Sequence, residues 1–467
     1  MVFKALNRVL TSWYLVLALA MAIAVSCSDN LQSDRSLVIE TPIETSELNI
    51  WWEKGYSFEE DRALQTVVTN WQNQSAQDAK LTFYTNSELS TKIERAVVSG
   101  NLPDIIMNNT ADRILYPRLA WEGKLEDVAD LIEPNADNYS SQILRSATYK
   151  NSLTEKSTFY TVPLYQATTL IFYWQKLLAE AGFQVSDIPQ EWEEFWQFWH
   201  KVKVKLENKD IYDLGLPFTG NNGTDDMYII FEHILEAYNI SLLDERGKLL
   251  VDVPEVRQGI IDCLAWYGNF YRQNRVPPDA IDWSGSDNNR HLLNRGVIMT
   301  PNTTLSIPAA LSQDADTYYH KLGIVEFPNK PDGNPMQYLI AVRQAAIFAD
   351  SPHVSLAKNF LRYFMQPTVM KEYLQASGNR NQPVQQSLWR DPLWQETNDP
   401  YLAVATKVFT KGKTRLFDVA KNPAYSNVLQ QNIWGKALNR IAVEGLSAEE
   451  AGNDAIAQII EIFDDWQ

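Results

Sequence analysis

Two adjacent amides, Asn108 and Asn109, end the run Asp104-Ile105-Ile106-Met107, and from them a chemistry can first be read. A primary amide donates through nitrogen and accepts through oxygen, matching the two-sided hydrogen bonding of a hydroxyl group. Their plainer use is to cap the helix that follows. The apolar run before them is too short and too β-branched for a helix and reads as a buried parallel strand. A helix bearing Ile93, Ala96 and Val97 precedes it. Gly100 ends that helix by taking positive φ, and Pro103 cannot continue it. In an open α/β sheet the ligand crevice lies beyond the carboxyl ends of the strands, so these amides stand where a ligand would be met. No Gly-x-Ser-x-Gly elbow, phosphate loop or His-Glu-x-x-His motif occurs in the chain.

The elements that must position them begin with a strand at Leu48–Trp52. A helix from about Glu59 to Gln72 carries Leu64, Val67, Val68 and Trp71 on one face. A strand at Lys80–Thr85 and a helix at Glu88–Val98 complete β-α-β-α-β, which calls for a doubly wound parallel sheet. Two further β-rich runs, Thr161–Tyr165 and Leu170–Tyr173, are separated by Gln166-Ala167-Thr168-Thr169. Trp192, Phe195, Trp196 and Trp199 repeat at helical spacing and read as packing. The polar loop Thr219–Asp226 precedes a helix at Met227–Tyr238. Short strands follow at Val297–Thr300, Leu322–Val325 and Tyr338–Val342, and the tail from Val404 is largely helical. Ser447-Ala448-Glu449-Glu450 forms a capping box.

Residues 1–27 show a basic start at Lys4 and Arg8, an apolar run from Trp13 to Val25, and Ser26-Cys27. The run is too short for a comfortable membrane span and reads as an export signal. Ile23-Ala24-Val25-Ser26-Cys27 resembles the lipobox of bacterial lipoproteins, with Ala24 where Leu is usual; the resemblance implies lipidation at Cys27. Residues 28–45 are polar, without apolar periodicity, as suits a tether. The only other cysteine, Cys263, lies among Ile260, Ile261 and Leu264 and reads as a small buried hydrophobe, so no disulfide is expected. A net charge of -17 argues against nucleic acid and against adsorption to anionic lipid. Fifteen Trp and 21 Tyr favour carbohydrate only mildly, because such rings more often fill cores.

An ordered series of motifs then becomes specific: Trp51-Trp52, Lys54-Gly55-Tyr56, Ser99-Gly100-Asn101-Leu102-Pro103-Asp104-Ile105-Ile106, and Gly123-Lys124-Leu125. Val162-Pro163-Leu164, Phe172-Tyr173, Glu191-Trp192, Asn294-Arg295-Gly296-Val297-Ile298-Met299 and Phe360-Leu361 continue it. In order and spacing this series resembles the family-1 extracellular solute-binding proteins of bacterial ABC importers, carbohydrate binders similar to the maltodextrin-binding protein. The resemblance implies an α/β two-lobe periplasmic-binding-protein fold of type II, with parallel-sheet lobes joined by a multi-strand hinge. Lobe one would hold residues 46–163 and 339–375, and lobe two 165–337 and 382–467. It further implies a monomer without catalytic residues, cofactor or metal. That monomer would bind a carbohydrate or polyol between its lobes and deliver it to permease subunits from the outer face of a membrane, held there through Cys27.

The same resemblance nominates the binding residues. Asp112 and Arg113 match an Asp-Arg pair after the equivalent strand; a carboxylate can accept from two hydroxyls and Arg donates in a planar fork. A surface ion pair is the plainer alternative. Lys54 and Tyr56, bordered by Trp52 and Glu53, match the first loop. Gln166 stands near a family carboxylate. Asp225 and Asp226 fall where a loop and helix start enter the cleft, and Asn302, Thr303 and Thr304 follow the Gly296–Met299 motif. Relatives often place a Trp at that turn; Trp283 is the nearest replacement in sequence, with core packing as its alternative. Arg380 belongs to a late hinge-side loop. Three other functions compete: a polyamine binder, a ferric-iron binder suggested by Tyr318-Tyr319, and a secreted glycoside hydrolase, which would need two carboxylates facing across one bond.

Overall fold

Residues 47–206, 210–222 and 225–466 are described by a computed structural model. The signal and tether segments with Cys27 lie outside them, as do Gly223 and Thr224 of the polar loop. Thirteen strands follow one another in the described residues. β1 (Leu48–Glu53), β2 (Ala79–Tyr84) and β3 (Ile105–Met107) come first. A small hairpin, β4 (Thr148–Lys150) and β5 (Ser157–Phe159), precedes β6 (Val162–Thr168), β7 (Leu170–Trp174) and β8 (Tyr212–Leu214). The last are β9 (Val297–Asn302), β10 (Leu322–Val325), β11 (Gln337–Ile347), β12 (Gln382–Pro383) and β13 (Lys413–Leu416).

They assemble into two main sheets within one compact unit. The first has the order β12-β6-β11-β3-β1-β2, with β13 paired to β11. Its β1–β2 and β1–β3 ladders are parallel, and β11 enters antiparallel to β3 and β6. The second has the order β10-β7-β9-β8, with β8 parallel to β9. A single residue, Thr169, separates β6 of the first sheet from β7 of the second.

Each sheet has its own core because each strand presents apolar residues to a helix layer. Ile50 and Trp52 of β1 pack with Leu64, Val67, Val68 and Trp71 of the helix Phe58–Ser75 and with Phe360 and Phe364 of the helix Val354–Phe364. The second core gathers Trp192, Phe195, Trp196 and Trp199 along the helix Trp192–Leu206. Trp192 and Trp196 meet edge to face at 5.7 Å, the geometry that aromatic quadrupoles favour. The C-terminal helices Ile433–Val443 and Ala448–Asp465 pack on that core.

Local expectations hold at several points. Gly100 caps the helix Asn86–Ser99 at φ 77°, and Ser447 with Glu450 forms the capping box. Others need correction. The segment read as a link, Gln166-Ala167-Thr168, is fully strand, because β11 runs eleven residues and pairs along it. The short strand β13 was not foreseen; the four residues of Lys413–Leu416 become a strand only by pairing with β11.

Candidate functional site

The carboxyl ends of β1, β2 and β3 and the loops of the second sheet enclose a cleft of about 760 Å³. From the first sheet come Glu53 at the end of β1 with Lys54 and Tyr56 after it, Thr85, Asn86 and Ser87 after β2, Asn109 after β3, Arg343 on β11, and Arg380 before β12. From the second come Asn221 and Asn222, then Asp225 and Asp226 at the start of the helix Asp225–Ala237, and then Ser284, Ser286 and Asn289. Asn302, Thr303, Thr304 and Ser306 complete that wall.

The first loop is shaped by the helix it enters. The Gly55 N–H donates to Asp61 Oδ1 (2.7 Å) and the Tyr56 N–H to Glu60 Oε2 (3.0 Å). A Cβ on Gly55 would lie 2.7 Å from Glu60 Cβ, so glycine is required there. Arg380 donates to the same Glu60 oxygen (2.6 Å), and its guanidinium stands 5.8 Å from the Tyr56 ring centre. Glu53 Oε2 accepts from the Asn109 N–H (2.6 Å) and Asn86 Nδ2 (2.9 Å); burial raises its pKa.

On the opposite wall Asp226 accepts from Thr303 Oγ1 at 3.3 Å, and burial and then the Asp225 charge push its pKa well above the ordinary carboxylate range. Asn302 Nδ2 donates to the Thr304 carbonyl (2.7 Å) and Ser306 Oγ (3.0 Å). Asn289 Nδ2 also donates to Ser306 Oγ (3.0 Å). Two buried acceptors of this lining, Asn109 Oδ1 and Asn289 Oδ1, have no partner among the described residues. A wall of amides, hydroxyls and carboxylates offers donors and acceptors from both sides, which is what recognition of a hydroxyl-bearing molecule requires.

Of the residues nominated from sequence, Glu53, Lys54, Tyr56, Asn109, Asp225, Asp226, Asn302, Thr303 and Arg380 line the cleft. Six do not. Trp52 alternates to the other face of β1 and packs 5.9 Å from Phe364. Asn108 is 1% exposed; its Oδ1 accepts from the Thr110 N–H (2.9 Å) and hydroxyl (2.7 Å), closing the turn ahead of the helix Ala111–Ile114, whose N-cap is Thr110. Asp112 and Arg113 are buried beneath the floor. Arg113 Nη1 holds both Asp112 oxygens (3.0 and 2.9 Å), Nε donates to Tyr228 Oη (3.2 Å), and Asp225 lies 3.8 Å away. Gln166 sits within β6 and donates to the Pro383 carbonyl (2.7 Å). Trp283 is buried in the second core, stacked on His291 at 4.5 Å. Tyr318 is likewise occupied away from the cleft, donating to Asp399 at 2.5 Å.

Sequence reasoning missed Thr85, Asn86, Ser87, Asn289, Ser306 and Arg343 among the lining residues. The rule that located Asn109, strand ends facing a crevice, applies equally to β2 and would have found Asn86. The run Ser284-Gly285-Ser286-Asp287-Asn288-Asn289 was a polar signal, and Arg343 is a lone charge within a strand of buried residues. Among the described residues no group of three or more His, Cys, Asp or Glu is placed to hold a metal ion, and no helix is long and apolar enough to cross a membrane.

This fold and cleft define a binding protein of two sheets with one polar mouth. The chain belongs to the bacterial extracellular solute-binding proteins, whose family model matches residues 73–404; these are binding proteins rather than enzymes, and they work outside the cytoplasm. Among its relatives is the multiple sugar-binding protein of Streptococcus mutans, 22% identical over 387 residues, which span 77% of this chain and 86% of that protein. The fold is similar to a solute-binding protein from Thermotoga lettingae bound with α-D-tagatose, with TM-score 0.74, 19% identity, and coverage of 89% and 99% of the two chains. It is also similar to maltose-bound MalE3 of T. maritima, with TM-score 0.72, 17% identity and the same coverage.

Proposed function

We propose that this protein binds a carbohydrate or polyol in the cleft between two lobes and delivers it to the membrane subunits of an ABC importer. The observation that carries this is the lining itself: amides and hydroxyls from both sheets converge, with Tyr56 as the one ring among the described lining residues. Hydroxyl-rich solutes exchange water for such groups at little cost, whereas an apolar ligand would leave them unpaired.

Lobe one is built on the first sheet and lobe two on the second, so β6 through Thr168, β12 and β13 go with lobe one. The chain crosses between the two sheets at Thr169 and again between β10 and β11, a geometry that supports a hinge there. Glu53, Lys54, Tyr56, Asn109, Asp225, Asp226, Asn289, Asn302, Thr303, Arg343 and Arg380 contact the solute. The protein acts as a monomer outside the cytoplasm, tethered by lipid on Cys27. The sugars named for the relatives support this reading.

Calorimetry with a panel of sugars and polyols, followed by product analysis, tests it. Saturable binding with the solute recovered intact is expected. Bond cleavage, or no binding by any hydroxylated solute, overturns it.

A further inference from the structure

The cleft floor holds more carboxyl groups than cations to balance them. Glu53, Asp225 and Asp226 line it and Asp112 lies directly beneath, four carboxyl groups set against the guanidiniums of Arg113 and Arg343. Of the other two cations of the lining, Arg380 pairs with Glu60 at 2.6 Å, and Lys54 follows β1 on the wall opposite Asp225 and Asp226. Arg113 is itself divided between Asp112 at 2.9 Å and Asp225 at 3.8 Å, while Arg343 lies 3.7 Å from Asp112 and donates to the Asn109 carbonyl. Asp226 has no ion-pair partner among the described residues; it faces Asp225 on its own helix, Thr303 at the end of β9, and Arg343 of β11.

A second observation is independent of charge. Asn109, 7% exposed, and Asn289, 3% exposed, come from opposite walls, and each keeps a buried carbonyl oxygen without a donor. A buried acceptor left unmade is costly, so each calls for a donor from the bound solute. Two buried donors of the lining, Arg343 Nε and Arg380 Nε, also lack acceptors and both come from the first sheet, so the acceptor-rich part of the wall is where Asp225, Asp226 and the Asn289 amide oxygen stand. The group that best satisfies such a wall carries positive charge and donors only, and an ammonium has three donors and no acceptor.

We infer that the solute is aminated: Asp225, Asp226, Asn109 and Asn289 receive an ammonium group on a hydroxyl-rich ring, an amino sugar or aminocyclitol. The inference rests on the carbohydrate reading above and narrows it. The raised Asp226 pKa agrees, since a buried carboxyl without a cation retains a proton instead. The donors of Arg343 and Lys54 remain for ring hydroxyl oxygens.

The test is calorimetry of the full chain at pH 7 with D-glucosamine, D-galactosamine and D-mannosamine, each beside its parent hexose and N-acetyl form. At least one amine should bind about tenfold or more tightly than its neutral counterparts. Asp226→Asn should lower that preference about tenfold, with thermal melting checking the fold; if it does not fold, Asn289→Ala carries the same expectation. Neutral hexoses binding as tightly as their amines, or a preference unchanged in the folded variant, overturns the inference and leaves the carbohydrate reading standing. Failure of every amine and every neutral sugar overturns both.

Discussion

Glu53 Oε2 accepts the Asn109 backbone N–H at 2.6 Å, joining the carboxyl ends of β1 and β3 under the cleft. The same oxygen takes Asn86 Nδ2 at 2.9 Å, so one carboxylate gathers the ends of three parallel strands. The floor is therefore organised before any solute arrives.

Glu53→Ala leaves the buried Asn109 N–H and the Asn86 amide without their acceptor. The expected loss is about 2–3 kcal/mol of unfolding free energy by urea titration, accompanied by weaker solute binding. A variant as stable as the parent chain would show that the strand ends need no such tie.

Arg113→Met strips Asp112 of its closest cation in a buried setting, where burial already raises that carboxyl's pKa. Breaking such a pair costs about 3–5 kcal/mol. The double variant Asp112→Asn with Arg113→Met should cost less than the sum of the two single changes, because no unbalanced charge remains; equal additivity in denaturation would contradict the pairing.

Trp52 and Trp283 separate packing from recognition. Trp283→Ala should destabilise by about 3–5 kcal/mol while solute affinity, measured under conditions where the variant is folded, stays within about twofold. Trp52→Ala should behave alike. A large affinity loss in folded protein would return either ring to the binding surface.

Glu232 predicts the pH dependence of stability. It is buried on the helix Asp225–Ala237 beside the second core, accepts from Tyr425 Oη at 2.6 Å, and burial pushes its pKa up to about 8 from 4.5. The folded chain then holds a proton that the unfolded chain releases between those pH values, so this group's contribution falls as pH rises from 4.5 to about 8, by at most roughly 5 kcal/mol. Glu232→Gln should flatten that slope in urea titrations from pH 5 to 9.

Cys27→Ser tests the anchor. Expressed with its export signal, the wild-type chain should partition with membranes and the variant should be recovered in the soluble extracytoplasmic fraction; identical fractionation would remove lipidation from the proposal.

Much of the architecture was legible before any coordinates. The helical stripes at Leu64–Trp71 and Trp192–Trp199, the Gly100 stop and the short apolar run at Ile105–Met107 are local patterns, set by side-chain periodicity and backbone preference within a few residues. Asn109, Asp225 and Arg380 were reachable because a strand end, a helix start and a late loop can each be recognised from neighbours in the chain. What the sequence alone could not decide is direction. A residue in a β-strand points to one face or the other according to register, and register is set by partners far away: Trp52 turned into the core and Glu53 toward the cleft through the pairing of β1 with β2 and β3. Arg343 entered the site by the same route, since β11 pairs with strands far away in sequence, whereas Asn289 was placed by the helix Asp287–Leu293 packing on β9 and by Ser306. The family, the β-α-β-α-β start of the first lobe and the polar ends of its strands were written in the local chain; the full strand order, which polar groups share one cleft, and which support it from below followed from tertiary packing, because only burial and long-range pairing choose a strand's neighbours and its two sides.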